Sequence, residues 1–223
     1  MNGIVEEYIK SAEPVSSGLL EKRYKFRVCP ATIRNEMQRL AEEGFIFQPH
    51  TSAGRVPTDK GYRFFVDNLL EKEFAGEGFD FRIEEWLEAD EIKMLQSITK
   101  GLASISSNLA LGYLPGSKIL WKDGWEEIIK EPEFEERDIV GDFIGMLEGF
   151  EKEIDGLEVS SDIKVYIGRE NPLPKSKEFS TIITKCHFPE EGESVLAIMG
   201  PKRMDYGKSI GSLHYLIKSL EKI

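Results

Sequence analysis

Residues 30–67 read PATIRNEMQRLAEEGFIFQPHTSAGRVPTDKGYRFFVD, and this stretch decides the fold of the first part of the chain. Pro30 suits the first position of a helix, where its missing N–H would lack a partner anyway. Gly44 suits the left-handed residue that ends a helix. Between them the apolar residues fall on one helical face, and they are Ile33, Met37, Leu40 and Ala41. The stretch therefore begins with an amphipathic helix.

A short strand, a turn and a second helix follow. Residues 45–47 (FIF) predict the strand, residues 48–57 a turn of mostly small and polar residues, and residues 59–70 a helix with Thr58 as its cap. Ahead of the stretch, apolar spacing and serine caps predict two more short helices, over residues 2–11 and 18–24. This order of elements is typical of a winged helix-turn-helix.

The helix over residues 30–43 carries side chains suited to contacts with DNA bases. Asn and Gln can make paired hydrogen bonds to adenine, Arg can do so to guanine, and Ala or Thr methyl groups can touch the thymine methyl. A recognition helix reads bases from its N-terminal turns. The outward or flanking residues of these types are Ala31, Thr32, Arg34, Asn35, Gln38 and Arg39. The alternative is an ordinary solvent-facing side, which is polar on any surface helix.

The residues after this helix favour DNA over that alternative. In the turn over residues 48–57, Gly54 permits close backbone approach and Arg55 is predicted to lie near the phosphates or the minor groove. His50, Thr51 and Ser52 are predicted to join this wing, His50 with at most a contact to the DNA backbone. In the following helix, Lys60 and Arg63 are predicted to remain free for phosphate contacts.

The charge of the chain is unevenly distributed. The formal net charge of -11 argues at first against a nucleic-acid partner, because Lys and Arg supply most non-specific affinity for phosphates. Residues 1–70, however, hold ten Lys/Arg against nine Asp/Glu, whereas the remaining 153 residues hold 19 against 31. The acidity belongs to the second part, and the first part is compatible with DNA.

Four segments carry a resemblance to a known family. They are VEEYIKSAEPVSS (5–17), CPATIRNEMQRLAEEGFIFQPHTSAGRVPTDKGYRFFVD (29–67), YIGRENP (166–172) and GPKRMDY (200–206). The chain resembles the HrcA family of bacterial heat-inducible transcription repressors. The resemblance implies a dimeric repressor that binds double-stranded DNA at an inverted-repeat operator called CIRCE, ahead of chaperone operons such as those of the GroE and DnaK systems. It also implies that a GroE-type chaperonin maintains the active state.

The chain departs from the family pattern at three places. Cys29 stands where Ser usually precedes Pro, and the loss of a good helix cap costs about 0.5 to 2 kcal/mol if nothing replaces it. Lys202 stands where the family usually has Thr. Between Lys118 and Ile119 the family usually carries a long segment associated with dimerisation, which is missing here. Two copies would then pair through a seam over residues 95–109, through the last helix, or only on DNA.

The second part is predicted to be an α+β domain. An acidic linker over residues 71–82 precedes a long helix from Ile83 to Asn108, in which Leu95, Ile98, Leu102, Ile105 and Leu109 alternate steps of three and four. That spacing is typical of a coiled-coil seam, and equally of a helix packed on its own sheet. Further predicted elements are strands over 163–168, 179–188 and 194–200 and helices over 123–130, 135–154 and 205–222.

The predicted organisation is therefore α+β, with an N-terminal winged helix-turn-helix followed by a second domain joined through a long connecting helix. Residues 1–70 form the DNA-binding domain, residues 71–82 the linker and residues 83–223 the regulatory or dimerisation domain. The family resemblance implies that this last domain is GAF-like.

Several function classes find no support in the sequence. No nucleophile constellation, phosphate loop or metal-spaced cluster appears, so neither an enzyme nor a bound cofactor or metal is expected. Cys29 and Cys186 form no CxxC or Cys/His motif and are interpreted as small hydrophobic residues. Without an apolar run of about 20 residues, a cytoplasmic protein is expected. The alternative function is a protein-interaction or ligand-sensing module whose winged helix does not bind DNA sequence-specifically.

Overall fold

A computed structural model of the chain describes residues 1–26, 28–71, 90–189 and 192–221. The chain divides into two compact units, Met1–Glu71 (unit 1) and Lys72–Ile223 (unit 2). Both units combine helices and strands, so the fold is α+β, as predicted. Residues 72–82 of the predicted linker lie outside the described residues.

Unit 1 has the predicted helices and first strand, and a second strand at the end of the predicted turn. Its elements are α1 (Asn2–Ser11), α2 (Ser17–Arg23), α3 (Pro30–Glu42), β1 (Ile46–Phe47), β2 (Val56–Pro57) and α4 (Asp59–Leu70). The two short strands pair antiparallel, with Ile46 opposite Pro57. Side chains cap two of the helices, because Ser16 accepts from the Leu19 N–H at 3.1 Å and Thr58 accepts from the Gly61 N–H at 3.1 Å. The turn over residues 48–55 therefore connects two paired strands.

Apolar residues of α1, α2, α3 and β1 meet in one core together with Val15. The buried members are Ile4, Val15, Leu20, Ile33, Met37 and Ile46. On α3, Ile33 and Met37 are each only 6% exposed, and Leu40 and Ala41 pack against the margin of the core. Because α3 buries this single stripe, its opposite side faces solvent.

Unit 2 is built on a five-stranded antiparallel sheet in the order β4–β3–β7–β6–β5. The strands are β3 (Leu109–Leu114), β4 (Ile119–Asp123), β5 (Lys164–Ile167), β6 (Phe179–Phe188) and β7 (Gly192–Pro201). The helices are α5 (Glu91–Ser106), α6 (Trp125–Ile128), α7 (Arg137–Glu153) and α8 (Tyr206–Leu220). Among the described residues, no helix is both long and apolar enough to cross a membrane.

Helices cover both faces of this sheet. On one face, Leu109 and Leu111 of β3 share a core with Phe143, Met146 and Phe150 of α7. On the other face, α5 and α8 pack against each other and against the sheet. The alternation of side chains along each strand supplies apolar residues to both layers.

The sequence predicts three strands in this domain, and the structure has two more, β3 and β4. All six residues of β3 are buried, so the strand has no alternation of apolar and polar residues. A short continuous apolar run directly after a helix cannot be told from the end of that helix by periodicity. Strand β3 is absent from the predicted elements for this reason.

The predicted helix from Ile83 to Asn108 is also not continuous. Asp90 has an extended backbone and caps α5 by accepting from the Lys93 N–H at 2.9 Å, so the helix begins at Glu91. Residues 83–89 lie outside the described part of the chain. At the other end, Ser107 is left-handed, with φ of 54°, and α5 ends at Ser106.

The proposed coiled-coil seam is part of the unit's own core. Leu95, Ile98 and Leu102 are fully buried, and Leu109 belongs to β3 rather than to the helix. The side chain of Leu95 lies over Gly112 of β3, where an added Cβ would come within 2.3 Å of it. The alternative of a helix packed on its own sheet is therefore correct.

Candidate nucleic-acid interface

Helix α3 presents every residue predicted to contact bases on its solvent-exposed side. Pro30 occupies the first turn, and the polar side chains follow in the next two turns. The exposed residues are Ala31, Thr32, Arg34, Asn35, Gln38 and Arg39. Burial of Ile33 and Met37 fixes this orientation, because the two sides of an amphipathic helix cannot be exchanged without exposing its apolar stripe.

Within α3 the exposed residues differ in their partners. Gln38 donates to Glu42 at 3.1 Å, and Arg39 donates to Glu43 at 3.0 Å. The hydrogen bond to Glu43 raises the pKa of Arg39. No hydrogen bond or ion pair to another described residue holds the side chains of Arg34 and Asn35. Gln38 and Arg39 therefore already have partners within α3 and its C-cap, which Arg34 and Asn35 lack among the described residues.

The turn between β1 and β2 is held in shape by its own hydrogen bonds. Gln48 donates from Nε2 to the carbonyls of Thr51 and Ala53, at 2.8 and 2.9 Å. The Ser52 hydroxyl lies 3.4 Å from His50 Nδ1. His50, Thr51 and Ser52 are all exposed. The turn therefore presents small polar side chains on a fixed backbone.

Arg55 anchors the end of this turn. Its backbone forms an antiparallel bridge with Val15, with N–O distances of 2.8 and 2.9 Å. At Gly54 an added Cβ would come within 2.4 Å of the Pro14 carbonyl, so only glycine permits this approach. Arg55 Nε is buried and has no partner among the described residues. The backbone of Arg55 is thus fixed, and its side chain retains a buried donor that is not hydrogen-bonded to any described residue.

Lys60 and Arg63 are not free, contrary to the prediction. The Lys60 ammonium donates to the Glu43 carbonyl at 2.7 Å and lies 4.3 Å from the centre of the Phe45 ring. Arg63 forms an ion pair with Asp67 at 3.3 Å, one turn along α4. The contact of Lys60 with the end of α3 exists only in the folded chain, whereas the Arg63–Asp67 pair joins residues four positions apart on α4.

One cavity among the described residues of unit 2 is smaller than the usual ligand pocket. This cavity of about 90 Å³ lies between α7, β5 and β6, where its lining includes Phe150, Tyr166 and Thr181. Ligand pockets usually measure roughly 300 to 1,000 Å³. Aromatic rings fill the adjacent core, with Phe134 and Phe179 each 5.1 Å from the Phe143 ring. No group of three or more potential metal ligands occurs in the described ranges.

In each of the two C-terminal motifs, one polar residue forms hydrogen bonds within unit 2. In GPKRMDY, Arg203 donates to Glu133 at 2.6 Å and also pairs with Glu131. Burial disfavours the Arg203 charge, but the hydrogen bonds to these carboxylates outweigh burial and raise the pKa of the guanidinium. In YIGRENP, Asn171 donates to Thr181 at 2.8 Å. The motifs alone do not show these roles, because Glu133 lies 70 residues from Arg203 and Thr181 lies 10 residues from Asn171.

The described geometry defines a two-unit α+β protein whose first unit exposes a polar, arginine-containing helix. The family model for the HrcA protein C terminal domain matches residues 65–210. The chain belongs to the HrcA family, as its sequence motifs predict. That family consists of transcription repressors and is not a class of enzymes.

Two relatives show how far the similarity extends. The heat-inducible transcription repressor HrcA of Brevibacillus brevis is 27% identical over 326 aligned residues, which cover 100% of this chain and 95% of the relative. The protein of the same name from a Parafrankia species is 30% identical over 251 residues, covering 100% of this chain and 74% of the relative. Because 326 positions are needed to align a chain of 223 residues, the Brevibacillus protein has about 100 residues without a counterpart here.

The fold is also similar to a solved structure. A crystal structure at 2.2 Å resolution, described as a hypothetical protein, superposes with a TM-score of 0.82 at 21% identity. The match covers 98% of this chain and 94% of that chain. This similarity concerns the fold alone.

Proposed function

We propose that the chain is a repressor of heat-shock (chaperone) operons that binds a CIRCE-type inverted-repeat operator as a dimer. Unit 1 is a winged helix-turn-helix in which α2 and α3 form the helix pair, α3 is the recognition helix and the β1–β2 turn is the wing. The observation that carries the proposal is the exposed face of α3, where Arg34 and Asn35 lie opposite the buried Ile33 and Met37. A face of this composition can read guanine and adenine in the major groove.

We assign a different function to each of the two units. Residues 1–70 bind DNA, residues 71–82 link the units, and residues 83–223 form a GAF-like regulatory or dimerisation domain. The narrow cavity of about 90 Å³ and the filled aromatic core support a structural or partner-binding role for that domain ahead of a ligand-sensing one. A GroE-type chaperonin is the proposed regulatory partner.

Substitutions on α3 and in the wing test the proposal. Arg34→Ala or Asn35→Ala should cost on the order of 1 to 3 kcal/mol of preference for the operator over unrelated DNA, because each removes hydrogen bonds to a base edge. Arg55→Ala should weaken binding to all sequences more evenly and flatten the salt dependence, because it removes a phosphate contact. Gel-shift titrations of operator and scrambled duplexes at several salt concentrations separate the two effects.

Lys10→Met is a charge-matched control, because Lys10 is exposed on α1, outside the proposed interface. This variant should keep the operator preference of the wild type. Unchanged operator preference in both α3 variants would overturn the assignment of α3 as the recognition helix.

One observation favours a second candidate function, a protein-interaction module. An apolar groove of about 430 Å³ lies among α1, α2 and α3, and Phe26 and Val28 on its margin are 50% and 47% exposed. Exposed apolar residues beside a groove can dock another protein. Binding to a chaperonin without salt-sensitive affinity for the inverted repeat would replace the first candidate with this one.

A further inference from the structure

The end of α3 is bound by the first turn of α4. A helix leaves its last carbonyls without intrahelical partners. Here the Glu43 carbonyl accepts from Lys60 Nζ at 2.7 Å, and the Gly44 carbonyl accepts from the Thr58 hydroxyl at 2.7 Å. The Phe45 carbonyl accepts from the Thr58 backbone N–H at 3.0 Å. Three consecutive carbonyls are therefore satisfied by Lys60 of α4 and by Thr58, the N-cap residue of that helix.

Two further features bring these groups together. Gly44 is left-handed, with φ of 79°, and its N–H donates to the Ala41 carbonyl at 3.0 Å while the Phe45 N–H donates to the Leu40 carbonyl at 2.9 Å. These two bonds form a Schellman motif, which turns the chain back toward α4. An added Cβ at Gly61 would come within 2.2 Å of the Phe45 carbonyl, so the approach of α4 requires glycine there.

The charge of Lys60 suits this position. The C-terminus of a helix carries partial negative charge, and a cation there is stabilising. The ammonium also lies 4.3 Å from the centre of the Phe45 ring, within the distance of a cation–π interaction. Lys60 thus has two interactions inside unit 1, both with the segment that ends α3.

We infer that Lys60 is a positioning residue, which fixes the C-terminal end of α3 against α4 instead of contacting a phosphate. The inference rests on the proposed function, because positioning of α3 matters only if α3 reads DNA. On this inference, residues 57–61 (PTDKG) fix the orientation of the recognition helix relative to the rest of unit 1.

Salt dependence distinguishes a positioning residue from a phosphate contact. Loss of one phosphate contact lowers the slope of log K against log salt by about 0.9. For Lys60→Met we expect the slope of the wild type, with operator affinity about two- to fivefold weaker, the effect of a cation at a helix C-terminus. Lys60→Arg should restore affinity, because its guanidinium can donate to the same carbonyl. Arg55→Ala serves as the comparison in which the slope falls.

Amide hydrogen exchange of the full chain without DNA provides a separate measurement. Lys60→Met should speed exchange of the Glu43, Gly44 and Phe45 amides about two- to fivefold, because the last turn of α3 loses its cation. Lys60→Arg should reverse the change, and Lys10→Met should leave these three amides as in the wild type.

The outcomes separate this inference from the proposed function. If the wild type shows no salt-sensitive preference for the operator, the proposed function fails, and the exchange experiment still decides whether Lys60 fixes the end of α3. If the wild type binds but Lys60→Met lowers the salt slope by about one, Lys60 contacts a phosphate and the inference is overturned. Unchanged exchange at Glu43, Gly44 and Phe45 also overturns it.

Discussion

At the scale of single residues, Cys29 shows what one side chain contributes to the start of α3. It occupies the N-cap position, where its side chain accepts no hydrogen bond from the backbone of the helix. The thiol instead lies 3.2 Å from the Thr32 hydroxyl, and this hydrogen bond lowers the pKa of Cys29. Cys29 is exposed and Cys186 is buried, so the interpretation as a small hydrophobic residue holds only for Cys186.

Cys29→Ser should therefore stabilise unit 1. A serine at the N-cap can accept from a backbone N–H of the first turn, which contributes about 0.5 to 2 kcal/mol. Because two units need not unfold together, the change is best followed by amide exchange of unit 1 peptides in a urea titration.

Cys186→Ser is the matched control for that substitution. The Cys186 thiol is buried, which raises its pKa to about 12, and a hydroxyl there should destabilise unit 2. A Cys29→Ser variant with unchanged or lower stability of unit 1 would contradict the expected stabilisation by a serine cap.

At the same scale, Lys60 marks the limit of interpretation from sequence, whereas Arg63 pairs with Asp67 four residues along the same helix, a spacing that the sequence records. Their spacing on α4 correctly indicates that they belong to a helix with a separate packing side. What the spacing could not show is that the end of α3 approaches Lys60, because that contact joins residues 17 positions apart. The role of a charged side chain on a helix surface depends on which groups from other segments lie next to it in the folded chain.

At the scale of elements, α5 shows that periodicity locates a helix without identifying what its apolar side packs against. Leu95, Ile98 and Leu102 have the spacing of a coiled-coil seam, yet all three are buried within unit 2. Steps of three and four residues are common to both kinds of packing. Helix α5 packs on the sheet at β3, and β3 is not among the predicted strands.

Leu102→Ala should consequently destabilise unit 2 by about 2 to 5 kcal/mol, the cost of removing a large buried side chain. The loss should be independent of protein concentration, because no second copy takes part in this contact. Denaturant titrations at several protein concentrations measure both quantities.

Ile92→Ala is the control on the same helix, because Ile92 is 42% exposed. A surface substitution of this kind should change stability by less than about 0.5 kcal/mol. A seam that paired two copies would give the opposite result for Leu102→Ala, with little loss in the monomer and a midpoint that depends on concentration.

At the scale of the whole molecule, the packing of unit 2 limits the surfaces through which two copies can pair. Strands β3 and β4 are joined by a turn of residues 115–118, at the place where the sequence motifs indicate a longer segment in the family. The burial of α5 removes one of the surfaces considered for pairing. The last helix is also largely buried, with Ile210, Leu213 and Leu216 in the core of unit 2.

We expect two chains to bind one inverted-repeat duplex, because each half-site accepts one recognition helix. Half-sites lie about one or more helical turns apart, roughly 34 to 36 Å each. Light scattering of the protein alone and with the duplex measures the stoichiometry directly. A duplex with one half-site should bind a single chain.

The spacing between half-sites provides the control. Insertion of about five base pairs rotates one half-site by roughly half a turn and should abolish binding of two chains as a unit. One chain per inverted repeat, or an affinity that does not respond to the insertion, would contradict binding as a symmetric pair.

The sequence by itself determined the helices of unit 1, the outward side of α3, three of the five strands of unit 2 and membership of the HrcA family. These features depend on local spacing, caps and short motifs, which are properties of neighbouring residues. Only the tertiary structure decided that α5 faces its own sheet, that β3 and β4 complete that sheet, and that Lys60 binds the end of α3. Each of these depends on contacts between distant segments, which no local pattern records.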